Sequence, residues 1–274
     1  MVRPKEACCV TPSPQLGGSH GGQLGGRTAL VTGAAHGIGL AYARGLAHEG
    51  ARVVMADIDT PGLATAMKQL SDEGLEVVDA AVDVADPESV KRCREAVERR
   101  VARVDILVNN AAVFATVPMS RAGYQELSVD EWDLMMAVNL RGAWLMARAF
   151  VPAMQARGYG KVINISSGTA LKGSASRIHY VTSKAGIIGF TKTLAREVGG
   201  DGVGVNCIAP GSTLSEAELD DDVVALRTSA VASRAIQRVQ LPDDLVGTVV
   251  FFASSASDFI TGQTLVVDGG ACMH

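Results

Sequence analysis

Thr28-Ala29-Leu30-Val31-Thr32-Gly33-Ala34-Ala35-His36-Gly37-Ile38-Gly39 is the stretch that decides how the chain folds. Thr28 to Val31 reads as a short apolar strand, the glycines as a tight turn, and Leu40, Ala43, Leu46 and Ala47 recur at helical spacing after it. Strand, glycine turn and helix in that order make a phosphate cradle. Gly33, Gly37 and Gly39 let backbone approach a pyrophosphate, and the N–H groups at the helix start, around His36 and Ile38, attract its charge. A merely structural glycine turn is the competing reading, and the surrounding pattern weighs against it.

Working outward, Ala51 to Ala56 forms a second apolar strand that ends in Asp57, eighteen residues beyond Gly39. A carboxylate at that distance is placed to accept hydrogen bonds from an adenosine ribose and to repel a 2′-phosphate. The next residue is Ile58 rather than a cation, which points to NAD over NADP; His36 is the one nearby ambiguity. Asp57 would otherwise be a helix cap, a duty that Asp59 or Thr60 is free to take.

The alternation continues with a helix over 61–73, a strand over 76–80 leading to Asp83-Val84, a helix over 87–101 and a strand over 105–108 leading to Asn109-Asn110-Ala111-Ala112. Regular β-α repetition with apolar strands predicts one doubly wound Rossmann domain, a parallel sheet flanked by helices on both faces. Ligands bind outside the carboxyl ends of such strands, where Asp57, Asp83 and Asn109 fall. A long helix follows from 128 or 130 to 156 with Asn139 in its middle, where asparagine is an indifferent helix former. After a strand over 162–165 comes Ser167, then a helix over 178–198 carrying Tyr180 and Lys184. A strand over 203–208 leads to Pro210-Gly211-Ser212-Thr213, the acidic segment 214–238 reads as a helical lid, and a helix over 242–254 and a strand over 263–267 close the sheet.

Tyr180 and Lys184 are four residues apart, so they share one helix face. A fixed positive charge favours the phenolate of a neighbouring tyrosine, whose ordinary pKa of about 10 makes it a poor proton donor near neutrality. The pair would exchange a proton with an alcohol or ketone oxygen that the Ser167 hydroxyl also holds. Taken alone, such a pair is more often an ordinary amphipathic one; its setting in the chain gives it meaning.

The composition excludes other classes. With 47% hydrophobic residues in 274, the chain buries a full core, and its net charge of −4 offers no basic surface for nucleic acid. It has no run of about 18 uncharged apolar residues to span a membrane. Cys8, Cys9, Cys93, Cys207 and Cys272 have no metal-ligand spacing and read as reduced thiols of a cytoplasmic protein. Residues 1–26, rich in Gly, Pro and Ser, read as a flexible extension before a domain at 27–274.

With these residues in place, the chain resembles the short-chain dehydrogenase/reductase family from Gly26 to Gly270. Thr32 to Gly39 matches the family's TGxxxGxG, and Asn109 to Ala112 matches NNAG except for its last glycine. Asn139, Ser167, Tyr180 and Lys184 fall on the catalytic Asn, Ser, Tyr and Lys, and Pro210-Gly211 on the PG turn. The resemblance implies that Tyr180 is the general acid and base and that Lys184 lowers its pKa and binds the nicotinamide ribose. It implies further that Ser167 holds the substrate oxygen and that Asn139 holds a water in a proton relay. Asp83 and Val84 would contact adenine, Asn109 the adenosine side, and Thr213 the carboxamide. Several segments, Phe259 to Gly270 among them, are similar to NAD-dependent 1-phenylethanol dehydrogenases.

The expected function is therefore hydride transfer between NAD(H) and a secondary alcohol or ketone, with a moderately bulky apolar or aryl ketone as substrate. The runner-up is a dihydrodiol or hydroxysteroid, and a non-catalytic dinucleotide sensor is the reading from another class. The apolar positions on more than one face of the 130–156 helix suit association, and the family resemblance implies a homotetramer built through that helix and the last helix and strand. The charge and apolar pattern give neither nucleic acid nor membrane as partner, and the cysteine spacing gives no metal.

Overall fold

The computed structural model describes residues 22–114, 119–215, 224–225 and 228–273. Seven parallel strands run in the order β3-β2-β1-β4-β5-β6-β7, namely β1 Thr28–Thr32, β2 Arg52–Asp57, β3 Val77–Ala81, β4 Ile106–Asn109, β5 Gly160–Ile165, β6 Val203–Pro210 and β7 Thr264–Val267. The strand order reverses between β1 and β4, whose Leu30 and Leu107 pair side by side. At such a reversal the crossover loops diverge to opposite faces and leave a crevice at the carboxyl edge.

The α-helices with bounds among the described residues are α1 Gly37–His48, α2 Thr60–Asp72, α3 Pro87–Arg100, α4 Val129–Met136, α5 Gly142–Arg157, α6 Thr169–Lys172, α7 Ile178–Val198 and α8 Asp243–Ala253. Successive strand residues face opposite sides of the sheet, and the core divides accordingly. Val31, Val53 and Ile106 pack with Tyr42 and Leu46 of α1, Leu63 of α2 and Val249 of α8. Leu30, Val54 and Leu107 pack with Val90 of α3, Met146 of α5 and Val198 of α7. Both faces are covered, as the continuous apolar strands require.

Local chemistry sets the helix starts. Asp59 caps α2 by accepting from Gly62 N–H, Asp86 caps α3 by accepting from Glu88 and Ser89, and Ser128 and Glu131 form a reciprocal capping box on α4. The expected helix over 128–156 is continuous from Val129 to Arg157 but contains one wide π turn, Ala137–Arg141. That turn is a correction, and its cause is Asn139: the side chain is buried and bonded to neighbouring elements, which re-aims the helix around it. The run of 29 residues is long enough to cross a bilayer, and its most apolar 18-residue window has a mean hydropathy of 1.2, yet half of that window is buried within the domain.

Other expectations shift by a residue or two at their ends. Strand β6 extends to Pro210, and the short α6 was not expected. Gly22 to Gly26 belongs to the packed domain rather than to the extension: Leu24 is fully buried, and its N–H donates to Glu49 O at 2.8 Å. Residues 1–21, with Cys8 and Cys9, lie outside the described residues, as do residues 216–223 and 226–227 of the expected lid. The described part of that lid contains a 3₁₀ turn, Ala230–Ser233.

Candidate active site

The carboxyl ends of β1 to β6 border one continuous cleft of about 1170 Å³. At its floor Gly33 and Gly37 have φ of +67° and +53°, which glycine alone adopts without strain. A Cβ on Gly39 would lie 1.9 Å from Gly33 O, so the turn closes only around a bare backbone. Asn110 holds the turn from across the sheet, donating from Nδ2 to the carbonyls of Thr32 and Gly33 at 3.0 and 3.1 Å, while Thr32 Oγ1 accepts from the N–H groups of Asn110 and Ala111.

Asp57 stands at the end of β2 with Oδ2 accepting from Ala35 N–H at 2.9 Å and Oδ1 from Asp59 N–H at 3.0 Å. These bonds fix the carboxylate beside the glycine turn. His36 and Ile38 line the cleft nearby, and His36 Nε2 lies 2.6 Å from Asp59 Oδ2. Asp83 and Val84 line the same end; Asp83 also closes its own turn by accepting from Ala85 N–H. A glycine cradle with no room for a Cβ, a fixed carboxylate one strand further and an apolar wall at Val82 and Val84 fit a dinucleotide.

Asn109 is a correction. Its side chain is buried in the sheet and does not border the cleft: Nδ2 donates to Asn164 Oδ1 at 2.8 Å, and Asn164 Nδ2 donates to Thr191 Oγ1 at 2.9 Å. Adjacent residues of an extended chain point opposite ways, so Asn110 takes the cleft side and Asn109 the side of α7.

At the other end, Ser166 and Ser167 follow β5. Ser166 Oγ donates to Lys184 O at 2.7 Å and so clamps α7 to the sheet, whereas Ser167 Oγ faces the cleft and shares a hydrogen bond with Thr169 Oγ1 at 2.9 Å. Tyr180 and Lys184 also border the cleft, from α7. Lys184 is buried; Nζ donates to Ile165 O at 2.9 Å and lies 5.9 Å from the centroid of the Tyr180 ring. Burial among apolar groups pulls its pKa down from 10.5 to about 8. Tyr180 sits in a cluster with Val113, Met135, Phe114 and Val138, and its ring packs at 5.3 Å on that of Phe114.

Asn139 does not border the cleft either. Its Oδ1 accepts from Val113 N–H at 2.8 Å, and its Nδ2 donates to Ser183 Oγ at 3.2 Å, so it ties the loop after β4 to α7. Pro210, Gly211 and Thr213 close the cleft from β6, with Gly211 N–H donating to Val267 O and Thr213 pairing with Gln240. Sequence reasoning missed Phe114, Thr169, Arg177 and Arg234, which also line the cleft. Arg234 is buried and donates to Ser212 O and Arg238 O. Only Thr169, two residues beyond Ser167, carried a local signal.

The site thus sets a hydroxyl, a phenol and a buried amine beside a dinucleotide cradle, an arrangement suited to proton exchange with an oxygen next to a hydride carrier. Comparison with known proteins agrees. Residues 33–272 match a family model described as enoyl-(acyl carrier protein) reductase. The chain is 38% identical, over 92% of its length and 90% of the relative's, to a protein of Bradyrhizobium diazoefficiens described as a probable short-chain type dehydrogenase/reductase. It is 36% identical to the D-threitol dehydrogenase of Mycolicibacterium smegmatis, covering 95% of this chain and 98% of that one. The crystal structure of a gluconate 5-dehydrogenase from Burkholderia cenocepacia with NADP and tartrate superposes with a TM-score of 0.83 at 37% identity, over 91% of this chain and 96% of that one. The chain belongs to the short-chain dehydrogenase/reductase family. It is an oxidoreductase acting on alcohols and ketones.

Proposed function

We propose that the protein transfers hydride between NAD(H) and a secondary alcohol or ketone of moderate bulk and apolar or aryl character. The observation that carries this reading is the setting of Tyr180: its ring stands in the apolar cluster of Val113, Phe114, Met135 and Val138 at the edge of the cleft. A substrate flank placed there leaves water and gains about 25 cal/mol per Å² of apolar area. Asp57, held by Ala35 and Asp59, supports NAD as the cofactor.

The bound nicotinamide supplies or accepts the hydride. In ketone reduction Tyr180 donates its phenolic proton to the carbonyl oxygen while the Ser167 hydroxyl donates a hydrogen bond to the same oxygen. In oxidation the phenolate takes the alcohol proton. Protonated Lys184 favours that phenolate by its charge, and its bond to Ile165 O holds the amine against the sheet. Asn139 acts by position, joining Val113 to Ser183 and so fixing the loop against the helix that bears Tyr180 and Lys184.

A second reading takes a polyhydroxylated or acidic substrate. It is favoured by Lys172 and Arg177, which line the same cleft as Ser167, and by similar proteins described as D-threitol, galactitol and gluconate dehydrogenases. Dihydrodiols and hydroxysteroids fall between the two. The deciding experiment follows NADH and NADPH absorbance with aryl ketones, cyclic ketones and ketosteroids, and NAD reduction with dihydrodiols, sugar alcohols and sugar acids. Fast aryl ketone reduction with NADH supports the leading reading; activity confined to sugar alcohols or acids replaces it with the second.

Self-association and a cytoplasmic location belong to the same proposal. Leu134 and Trp144 are about half exposed along a groove completed by Met136, Leu140 and Phe190, and Phe259 stands fully exposed before β7. A second copy of the chain, in a homotetramer, would cover these faces. Sedimentation of a monomer at micromolar concentration would refute it.

A further inference from the structure

His36 and Asp59 frame the carboxylate of Asp57. Ala35, next to His36, donates to Asp57 Oδ2, and Asp59 donates its own N–H to Asp57 Oδ1, so the two side chains flank the place where a ribose 2′-oxygen is recognised. Both are about 40% exposed and border the cleft, and they meet at 2.6 Å. The bond to His36 is the largest cause holding the Asp59 carboxyl below its usual range. An ionised carboxylate only accepts, so His36 Nε2 carries the proton and donates it to Asp59. Gly62 leaves the space for this pair: a Cβ there would lie 2.2 Å from Asp59 Oδ2 and 2.5 Å from His36 Nε2.

We propose that Asp59 is a positioning residue for cofactor choice: by engaging His36 Nε2 it withholds from a 2′-phosphate the imidazole donor of the glycine turn. Repulsion by Asp57 acts on the same oxygen directly, whereas Asp59 acts through His36. The inference rests on the reading of the cleft as a NAD(H) site.

The test measures dissociation constants of NAD and NADP by titration calorimetry for the wild type, Asp59→Ser, Gly62→Ala, His36→Ala and the two double variants with His36→Ala. Serine keeps the cap on α2 but is too short to hold the imidazole, and Gly62→Ala displaces the pair while keeping both side chains. The wild type is expected to prefer NAD. Asp59→Ser and Gly62→Ala should each tighten NADP about tenfold, the scale of one hydrogen bond to a charged group, and leave NAD within about twofold. Adding His36→Ala should cancel the gain. A gain that survives His36→Ala, or NADP affinity unchanged in both single variants, overturns the inference. A wild type that prefers NADP or binds neither dinucleotide overturns the reading of the cleft itself, and the inference with it.

Discussion

Lys184 Nζ lies 5.9 Å from the centroid of the Tyr180 ring while it donates to the carbonyl of Ile165 at 2.9 Å. One buried amine therefore serves both the phenol on its own helix face and the strand that ends in the two serines. Ser166 completes the clamp by donating to the Lys184 carbonyl, so the helix that carries the proton donor is fixed to the sheet at both ends of the same residue.

Tyr180→Phe removes the proton donor and leaves the ring that packs on Phe114 at 5.3 Å. Turnover should fall by about 10²- to 10⁴-fold, the usual worth of a positioned general acid. NADH affinity, read by fluorescence titration, should stay within about threefold, since most of the cofactor surface lies elsewhere. Retained turnover would reject Tyr180 as the acid.

Burial lowers the Lys184 pKa to about 8 in the folded protein, whereas the unfolded chain titrates it near 10.5. The unfolded state binds more protons between these values, so this residue's contribution to stability rises with pH across that window and its full penalty is present below it. The span corresponds to roughly 3 kcal/mol. Lys184→Met should flatten the rise of the melting temperature between about pH 8 and 10.5 relative to wild type, and it should abolish turnover. Parallel melting curves across that window would show that burial does not set this pKa.

Asn164 is fully buried and bonded on both sides, to Asn109 and to Thr191. Asn164→Ala leaves the Asn109 amide only its long bond to Ala143 O, a loss of about 1–3 kcal/mol, and removes one of the ties between α7 and β5. Chemical denaturation should show the lower stability, together with a fall in kcat larger than any change in cofactor affinity. An unchanged midpoint would remove this chain of bonds from the account of the fold.

Gly39→Ala places a methyl group 1.9 Å from Gly33 O and 2.6 Å from Asn110 Nδ2. The turn must open, and with it the cradle for the pyrophosphate. Dinucleotide affinity should fall more than about tenfold, by the measure of a lost phosphate contact, with circular dichroism little changed. Wild-type affinity would mean that phosphate binds elsewhere.

Much of the site is legible in the amino-acid sequence. Asp57, Asp83, Ser167, Tyr180 and Lys184 all reach the cleft because they end strands or follow a helical period, and such placements follow from local spacing. Asn109 and Asn139 escape that logic: both occupy motif positions, yet both turn their side chains into the scaffold. Phe114, Arg177 and Arg234 have no such signal because they come from loops whose paths no periodicity describes.

The sequence by itself determined the parallel α/β architecture, the glycine cradle and the sharing of one helix face by Tyr180 and Lys184, because strand alternation, backbone freedom and the helical repeat act over neighbouring residues. The tertiary structure decided which of two adjacent asparagines faces the cleft, where the long helix widens around Asn139, how far burial lowers the Lys184 pKa, and that His36 meets Asp59. Each of those depends on what another element, distant in the chain, brings within a few ångströms, and contact or desolvation of that kind has no local signature.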